Sequence, residues 1–154
     1  MKRRVIIGIG LPGSGKSTVL KPLAAELGAV YVCPDNIRTE VTGDPADQTR
    51  NAFVWKLAYD RLERALKTEG LAVFDATNAN GADRRKLVKL CASRADVVEG
   101  LWFDVPLMVC LERNRSRARV VPDEVIGRMY YQLKRDPPTL EEGFSNLERQ
   151  QDKG

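Results

Sequence analysis

Ile9-Gly10-Leu11-Pro12-Gly13-Ser14-Gly15-Lys16-Ser17-Thr18 is the stretch that decides the fold. From Gly10 to Ser17 it matches G-x-x-x-x-G-K-[ST] in full. The residue types explain themselves physically. Glycines at 10, 13 and 15 admit positive φ and let oxygen atoms approach the main chain. Successive N–H groups then form one concave anion nest, and a helix starting at its end adds partial positive charge. Lys16 reaches the β- and γ-phosphates of a bound triphosphate, and Ser17 offers a hydroxyl to Mg²⁺. The flanks fit. Arg4 to Ile9 is apolar and β-branched, which predicts a buried strand. Ser17 to Leu27 carries Leu20, Leu23, Ala24 and Leu27 on one helical face, with Pro22 predicting a kink or a late start. Strand, loop and helix in that order form a P-loop, with Gly10, Pro12, Gly13, Ser14, Gly15, Lys16, Ser17 and Thr18 as the ATP-binding set.

Outward from the loop, strand and helix patterns alternate. Ala29 to Val32, Leu71 to Phe74 and Val97 to Phe103 read as strands. Asp35 to Val41, Ala46 to Lys67, Gly81 to Ala92, Pro106 to Arg113 and Asp123 to Lys134 read as helices. Strands separated by helices imply a three-layer α/β/α, P-loop NTPase-like fold with a mostly parallel sheet of about four to five strands. Residues 1–154 read as one domain, with a helical, arginine-bearing lid over about residues 113–134. Residues 146–154 lack an apolar pattern and are expected to be loose.

Composition narrows the classes. Of 154 residues, 43% are hydrophobic and 30% charged, an ordinary globular balance. No apolar run approaches the ~20 residues of a membrane span. Lys2, Arg3 and Arg4 lead into the glycine loop instead of a cleavage site, so the expected compartment is the cytoplasm. Cys33, Cys91 and Cys110 have neither zinc nor redox spacing and read as small buried thiols. Histidine is absent, so a base working near neutral pH must be Asp or Glu. From Arg84 to Arg135, twelve Lys and Arg face six Asp and Glu, which suits a polyanion as well as it suits solvated helix faces.

Three groups of side chains stand where an acceptor would bind. Asp35 and Arg38 follow the second strand, and ligands in open α/β sheets collect at the carboxyl ends of strands. On spacing alone, Asp35 reads equally as a helix cap and Arg38 as a surface cation. Asp75-Ala76-Thr77-Asn78 ends the third strand at the same edge; its acid suits a place beside Mg²⁺ or beside an arginine, or an Asx turn. Arg113-Asn114-Arg115-Ser116-Arg117-Ala118-Arg119 puts four arginines in seven residues, and helical spacing would set Arg113 and Arg117 on one face. Such a cluster can close over a triphosphate like an arginine finger in cis.

These blocks, in this order, resemble the kinase module of polynucleotide 5′-hydroxyl kinases of the phage-type kinase/3′-phosphatase. The resemblance runs from about Val5 to about Leu147. It includes Pro34-Asp35-Asn36-Ile37-Arg38, Phe74-Asp75-Ala76-Thr77-Asn78, Trp102-Phe103-Asp104-Val105-Pro106 and Val121-Pro122-Asp123-Glu124-Val125-Ile126-Gly127-Arg128-Met129. The resemblance implies transfer of the γ-phosphate of ATP, with Mg²⁺, to the 5′-OH end of DNA or RNA. It implies Asp35 as general base and Arg38 on the acceptor's own phosphate. Lys16 and Arg117 would stabilise the transferring group, Asp75 would help position the acceptor or the lid arginine, Asn78 would bind the acceptor, and Arg113 would touch the triphosphate. The segment between Arg117 and Pro122 is short for the family, which leaves Arg115 or Arg119 open for the role of Arg117. Arg84, Arg85, Lys86 and Lys89 would line an acceptor path or face water. A phosphatase signature is absent, so no 3′-phosphatase activity is expected. Two other readings of the same residues remain: a kinase of a nucleoside or other small-molecule hydroxyl, and a non-catalytic nucleotide-dependent binding module.

Overall fold

Short apolar runs fold as buried strands, and the computed structural model, which describes residues 2–151, joins four of them and one polar strand in a single sheet. The strands are β1 (Arg4–Ile9), β2 (Val30–Val32), β3 (Leu71–Asp75), β4 (Val97–Asp104) and β5 (Asn146–Gln151), in the order β2-β3-β1-β4-β5. Every pairing is parallel. Six helices alternate with them: α1 (Lys16–Leu27), α2 (Pro34–Thr42), α3 (Asn51–Thr68), α4 (Gly81–Arg94), α5 (Leu107–Arg115) and α6 (Asp123–Arg135). The architecture is the three-layer α/β/α, P-loop kinase-like fold that the alternation implies.

Period-two alternation sorts β1 onto two cores. Val5, Ile7 and Ile9 pack with Val54, Ala58 and Leu62 of α3 and Leu87 of α4. Ile6 faces the other way, with Leu20 and Ala24 of α1 and Val73 of β3. Gly8 shares that second face, where a Cβ would collide with the Leu20 side chain, so its lack of one lets α1 lie close to the sheet.

Four sequence expectations change. Asn146–Gln151, expected to be loose, is β5, in parallel register with β4 from Glu99↔Asn146 to Asp104↔Gln151. Its exposed polar side chains hide a strand held by main-chain bonds and by Leu147, which packs on the core; residues 152–154 lie outside the described residues. The helix expected from Ala46 begins at Asn51. Asp44 Oδ1 accepts the Ala46 N–H (2.9 Å) and Asp47 Oδ1 the Thr49 N–H (2.9 Å), and such local bonds compete with helix formation. The helix after the P-loop starts at Lys16 and runs through Pro22 with no late start.

The fourth change concerns Arg84, which neither lines an acceptor path nor faces water. It is 0% exposed. Its guanidinium donates to the Glu142 carboxylate (2.9 Å), the Asn78 carbonyl (3.0 Å) and the Asp136 carbonyl (2.8 Å). One side chain thus ties α4 to the loop after β3, the end of α6 and the 3-10 turn Leu140–Glu142. Arg84→Met leaves Glu142, itself 5% exposed at the side chain, buried without its main partner. Urea denaturation should register a loss of about 3–5 kcal/mol, and Arg84→Met with Glu142→Leu should recover much of it.

Candidate active site

The P-loop emerges from β1 and turns into α1 at Gly15, whose φ is +85°. Gly13 has φ +83°, and a Cβ there would fall against the Cys110 carbonyl oxygen of α5. Gly10 is constrained by space alone, since a Cβ would stand 2.7 Å from Ser14 Oγ. Lys16 and Ser17 occupy the first turn of α1, where main-chain N–H groups lack helical partners and attract anions.

Asp75 ends β3, one strand over, and is 2% exposed. Its Oδ2 accepts hydrogen bonds from Ser17 Oγ (2.8 Å) and from the Tyr31 hydroxyl, while Lys16 Nζ stands 3.9 Å from Oδ1. Burial, then the bond to Asp75, pushes the Tyr31 hydroxyl far above the usual phenol range, so it stays a donor. Asp75 was expected beside Mg²⁺, the acceptor or a lid arginine; its hydrogen bonds lie on the phosphate-loop side. Tyr31 was missed in the sequence. The available signal was a hydroxyl-bearing aromatic between two valines of a strand, facing opposite to both.

The second wall comes from α2. Proline at its first position and Cys33 at the N-cap position put Asp35 inside the first turn, so it is not the cap. An acid there complements the helix dipole. Arg38, 5% exposed, donates to Asp35 Oδ1 (2.7 Å) and to Asn51 Oδ1 (2.9 Å) at the start of α3. Asn51 in turn donates to Gln48 Oε1 (2.6 Å). Arg119 donates to the other oxygen of Asp35, Oδ2, at 2.8 Å.

Both walls border one cleft of about 640 Å³, which also takes in Trp55 of α3, Arg117 and Arg128 of α6. Local spacing does not single out Asn51, Trp55 or Arg128, since each becomes a lining residue only through the packing of α3 and α6. Five cationic side chains, Lys16, Arg38, Arg117, Arg119 and Arg128, meet two carboxylates, Asp35 and Asp75. Cys33 borders the cleft as well, and burial pushes its thiol up, leaving it protonated at neutral pH. A groove of about 760 Å³ lies elsewhere, among Arg3, Arg64, Lys67 and Arg94. It contains no P-loop residue, and its cations sit near helix carboxyl ends, where they complement the dipoles.

The arginine cluster is not one helix. α5 stops at Arg115, so Arg113 and Arg117 do not share a helical face. Arg117 and Arg119 ride on a loop whose two ends are pinned by Asn114. This 0% exposed side chain donates to the Val121 carbonyl (2.6 Å) and accepts the Val121 N–H (3.0 Å). Arg113 sits 3.8 Å from where a Cβ on Gly15 would be, and with Thr18, Gln150 and Gln151 borders a separate hollow of about 510 Å³. Arg115 pairs with Asp123 (3.2 Å) where both are exposed. Asn78, expected among the acceptor-binding residues, has φ 51° and donates to the Gly8 carbonyl (2.7 Å), which joins the β3 loop to β1.

The family model described as an AAA domain matches residues 5–135. Among curated proteins, the chain is 30% identical over 136 residues to an L-seryl-tRNA(Sec) kinase of Methanococcus maripaludis, covering 82% of this chain and 51% of that protein. It is 32% identical over 112 residues to a shikimate kinase of a Sulfurihydrogenibium species, covering 70% of this chain and 64% of that protein. The chain therefore spans about half to two-thirds of the length of these relatives. Among solved structures, a chain of a Pnkp1/Rnl/Hen1 RNA repair complex superposes with a TM-score of 0.78 at 22% identity, over 88% of this chain and 45% of that one.

Gly13→Ala forces an L side chain into a left-handed backbone and against α5. Thermal melting should report a loss of about 1–3 kcal/mol, and titration with a fluorescent ATP analogue should show nucleotide binding lost with it.

Proposed function

The chain belongs to the AAA domain family, and we propose that within it the chain is an ATP-dependent polynucleotide 5′-hydroxyl kinase. The observation that carries this reading is the Asp35–Arg38 pair, 2.7 Å apart, sharing one cleft with Lys16 and Ser17. A carboxylate facing a phosphate cradle suits a hydroxyl acceptor. A buried guanidinium beside it suits an anion next to that hydroxyl, as every internal phosphodiester of a nucleic acid supplies. The surplus of cations in the cleft supports an acceptor that is itself anionic. The RNA repair complex among the structural neighbours and the tRNA kinase among the relatives are consistent with a nucleic-acid acceptor.

In this mechanism the acceptor oxygen attacks the γ-phosphorus in line. The new O–P bond forms as the bond to the β–γ bridging oxygen breaks, ADP leaves, and the hydroxyl proton passes to the Asp35 carboxylate. Lys16 and Arg117 stabilise charge on the transferring group, Arg113 supports the triphosphate, and Arg38 holds the acceptor's phosphate. Ser17 Oγ and the Asp75 carboxylate are hard oxygen donors that fit Mg²⁺, with Ser17 as the direct ligand and Asp75 behind it. No group of three or more His, Cys, Asp or Glu forms a metal cage among the described residues, and Mg²⁺ on a nucleotide needs few protein ligands. When bound, Mg²⁺ neutralises charge on the β- and γ-phosphates.

A second reading, a kinase of a small hydroxyl compound, draws support from the shikimate kinase relative. Labelled ATP offered with 5′-OH DNA and RNA oligonucleotides, shikimate and free sugars separates the two. Label at the oligonucleotide 5′ end is expected; label confined to a small molecule overturns the reading. Asp35→Asn should bind ATP normally and transfer at least on the order of a hundredfold more slowly; near-normal transfer removes Asp35 as the base. Tyr31→Phe takes one of the hydrogen bonds from Asp75. It should weaken Mn²⁺ binding to the ATP complex, read by electron paramagnetic resonance, on the order of tenfold.

A further inference from the structure

Asp35 has both oxygens engaged by guanidinium groups, Oδ1 by Arg38 at 2.7 Å and Oδ2 by Arg119 at 2.8 Å. Each oxygen keeps a second lone pair, but the carboxylate charge is shared between two guanidinium groups. Asp35 becomes a better partner for the proton of an acceptor hydroxyl when one of the two contacts opens.

The two arginines are not equivalent. Arg38 lies three residues along the same helix, is almost fully buried, and is fixed from behind by Asn51. Arg119 reaches Asp35 from 84 residues away, on the loop pinned by Asn114, with a quarter of its side chain exposed. Among the described residues, Asp35 is its hydrogen-bonded partner. Arg119 is the contact that opens.

Once released, its guanidinium stands in a partly enclosed cleft that already holds Lys16, Arg38, Arg117 and Arg128 against two carboxylates. A cation there needs a replacement anion, because leaving it unpaired forfeits both its charge partner and its hydrogen bonds. A phosphate meets the guanidinium fork with paired oxygens; an uncharged hydroxyl compound does not.

We propose that Arg119 is a specificity-determining residue: it holds Asp35 by an ion pair and exchanges that carboxylate for a phosphate carried by the acceptor next to the attacked hydroxyl. The inference rests on the kinase reading above and deepens it. Acceptors with a neighbouring phosphate open the ion pair, and bare nucleosides leave Asp35 engaged. Arg117, exposed on the same loop and bordering the same cleft, is left to serve the triphosphate.

The test compares wild type with Arg119→Gln in two assays. In the first, labelled ATP is offered with a nucleoside 3′-phosphate and with the same nucleoside lacking it. Wild type should favour the phosphorylated acceptor, and the variant should reduce that preference on the order of fivefold, the scale of a partly exposed ion pair. An unchanged ratio overturns the proposal. The second assay measures hydrolysis of ATP to ADP and phosphate without acceptor, where water gives its proton to Asp35. Hydrolysis should rise several-fold in Arg119→Gln, and an unchanged or lower rate overturns the ion-pair restraint whatever the acceptor is. If both proteins phosphorylate only shikimate or a sugar, the polynucleotide reading fails and this specificity proposal falls with it, while the hydrolysis assay still judges the restraint. Arg119→Lys, which keeps the charge and loses the fork, takes the same comparisons if the glutamine variant does not fold.

Discussion

The cleft depends on register. Parallel pairing sets Gly8 of β1 opposite Asp75 of β3, and Val32 of β2 opposite Phe74. Three strands therefore end at nearly the same level, and each releases its chemistry into the same space. β1 gives the P-loop, β3 gives Asp75, and β2 gives Asp35 after a single cysteine and a proline. A slip of one residue in any pairing would turn every side chain of that strand to the opposite face and part the carboxylates from the phosphate loop. What prevents the slip is the apolar alternation of β1, with one set of residues committed to α3 and α4 and the other to α1.

Two polar networks divide the work at those strand ends. The first, Tyr31–Asp75–Ser17 with Lys16 alongside, is centred on the buried Asp75 and stitched across three elements, which suits a donor site that must hold one geometry. The second, Asn51–Arg38–Asp35–Arg119, joins the buried Arg38 to the exposed Asp35 carboxylate and the partly exposed Arg119. Rigid at one end and open at the other, it suits a site that admits different acceptors. The two meet only through the cleft, so the nucleotide and the acceptor can be recognised by separate side chains.

Much of the framework was legible because it obeys local rules. The P-loop declares itself through residue types that no other backbone geometry demands in that spacing, and the strand–helix alternation follows from short β-branched runs between glycines. Asp35 and Arg38 were visible by position, since the second strand has to end near the first. The misreadings share one cause, which is that tertiary packing decided them. β5 is polar because its side chains face water, while the bonds that make it a strand are main-chain bonds to β4. Arg84 looks like any surface cation of a basic helix until Glu142 and Asp136 arrive from a distant turn. Tyr31 goes unnoticed until the neighbouring strand brings its hydroxyl to Asp75. Helical spacing gave Arg113 and Arg117 a common face, but α5 ends between them. Of the three arginines open for that site, Arg115 turns to Asp123, and Arg117 and Arg119 border the cleft.

Asn114 has a larger consequence than its single side chain suggests. By bonding both the N–H and the carbonyl of Val121, it closes residues 115–120 into a cassette whose ends are anchored regardless of what lies between. Residues inside can be exchanged, added or removed without unmooring α5 or α6. Evolution can then retune what the cleft accepts by rewriting the positions around Arg117 while the P-loop is left untouched, and the same stretch is the natural place to graft a new substrate preference by design.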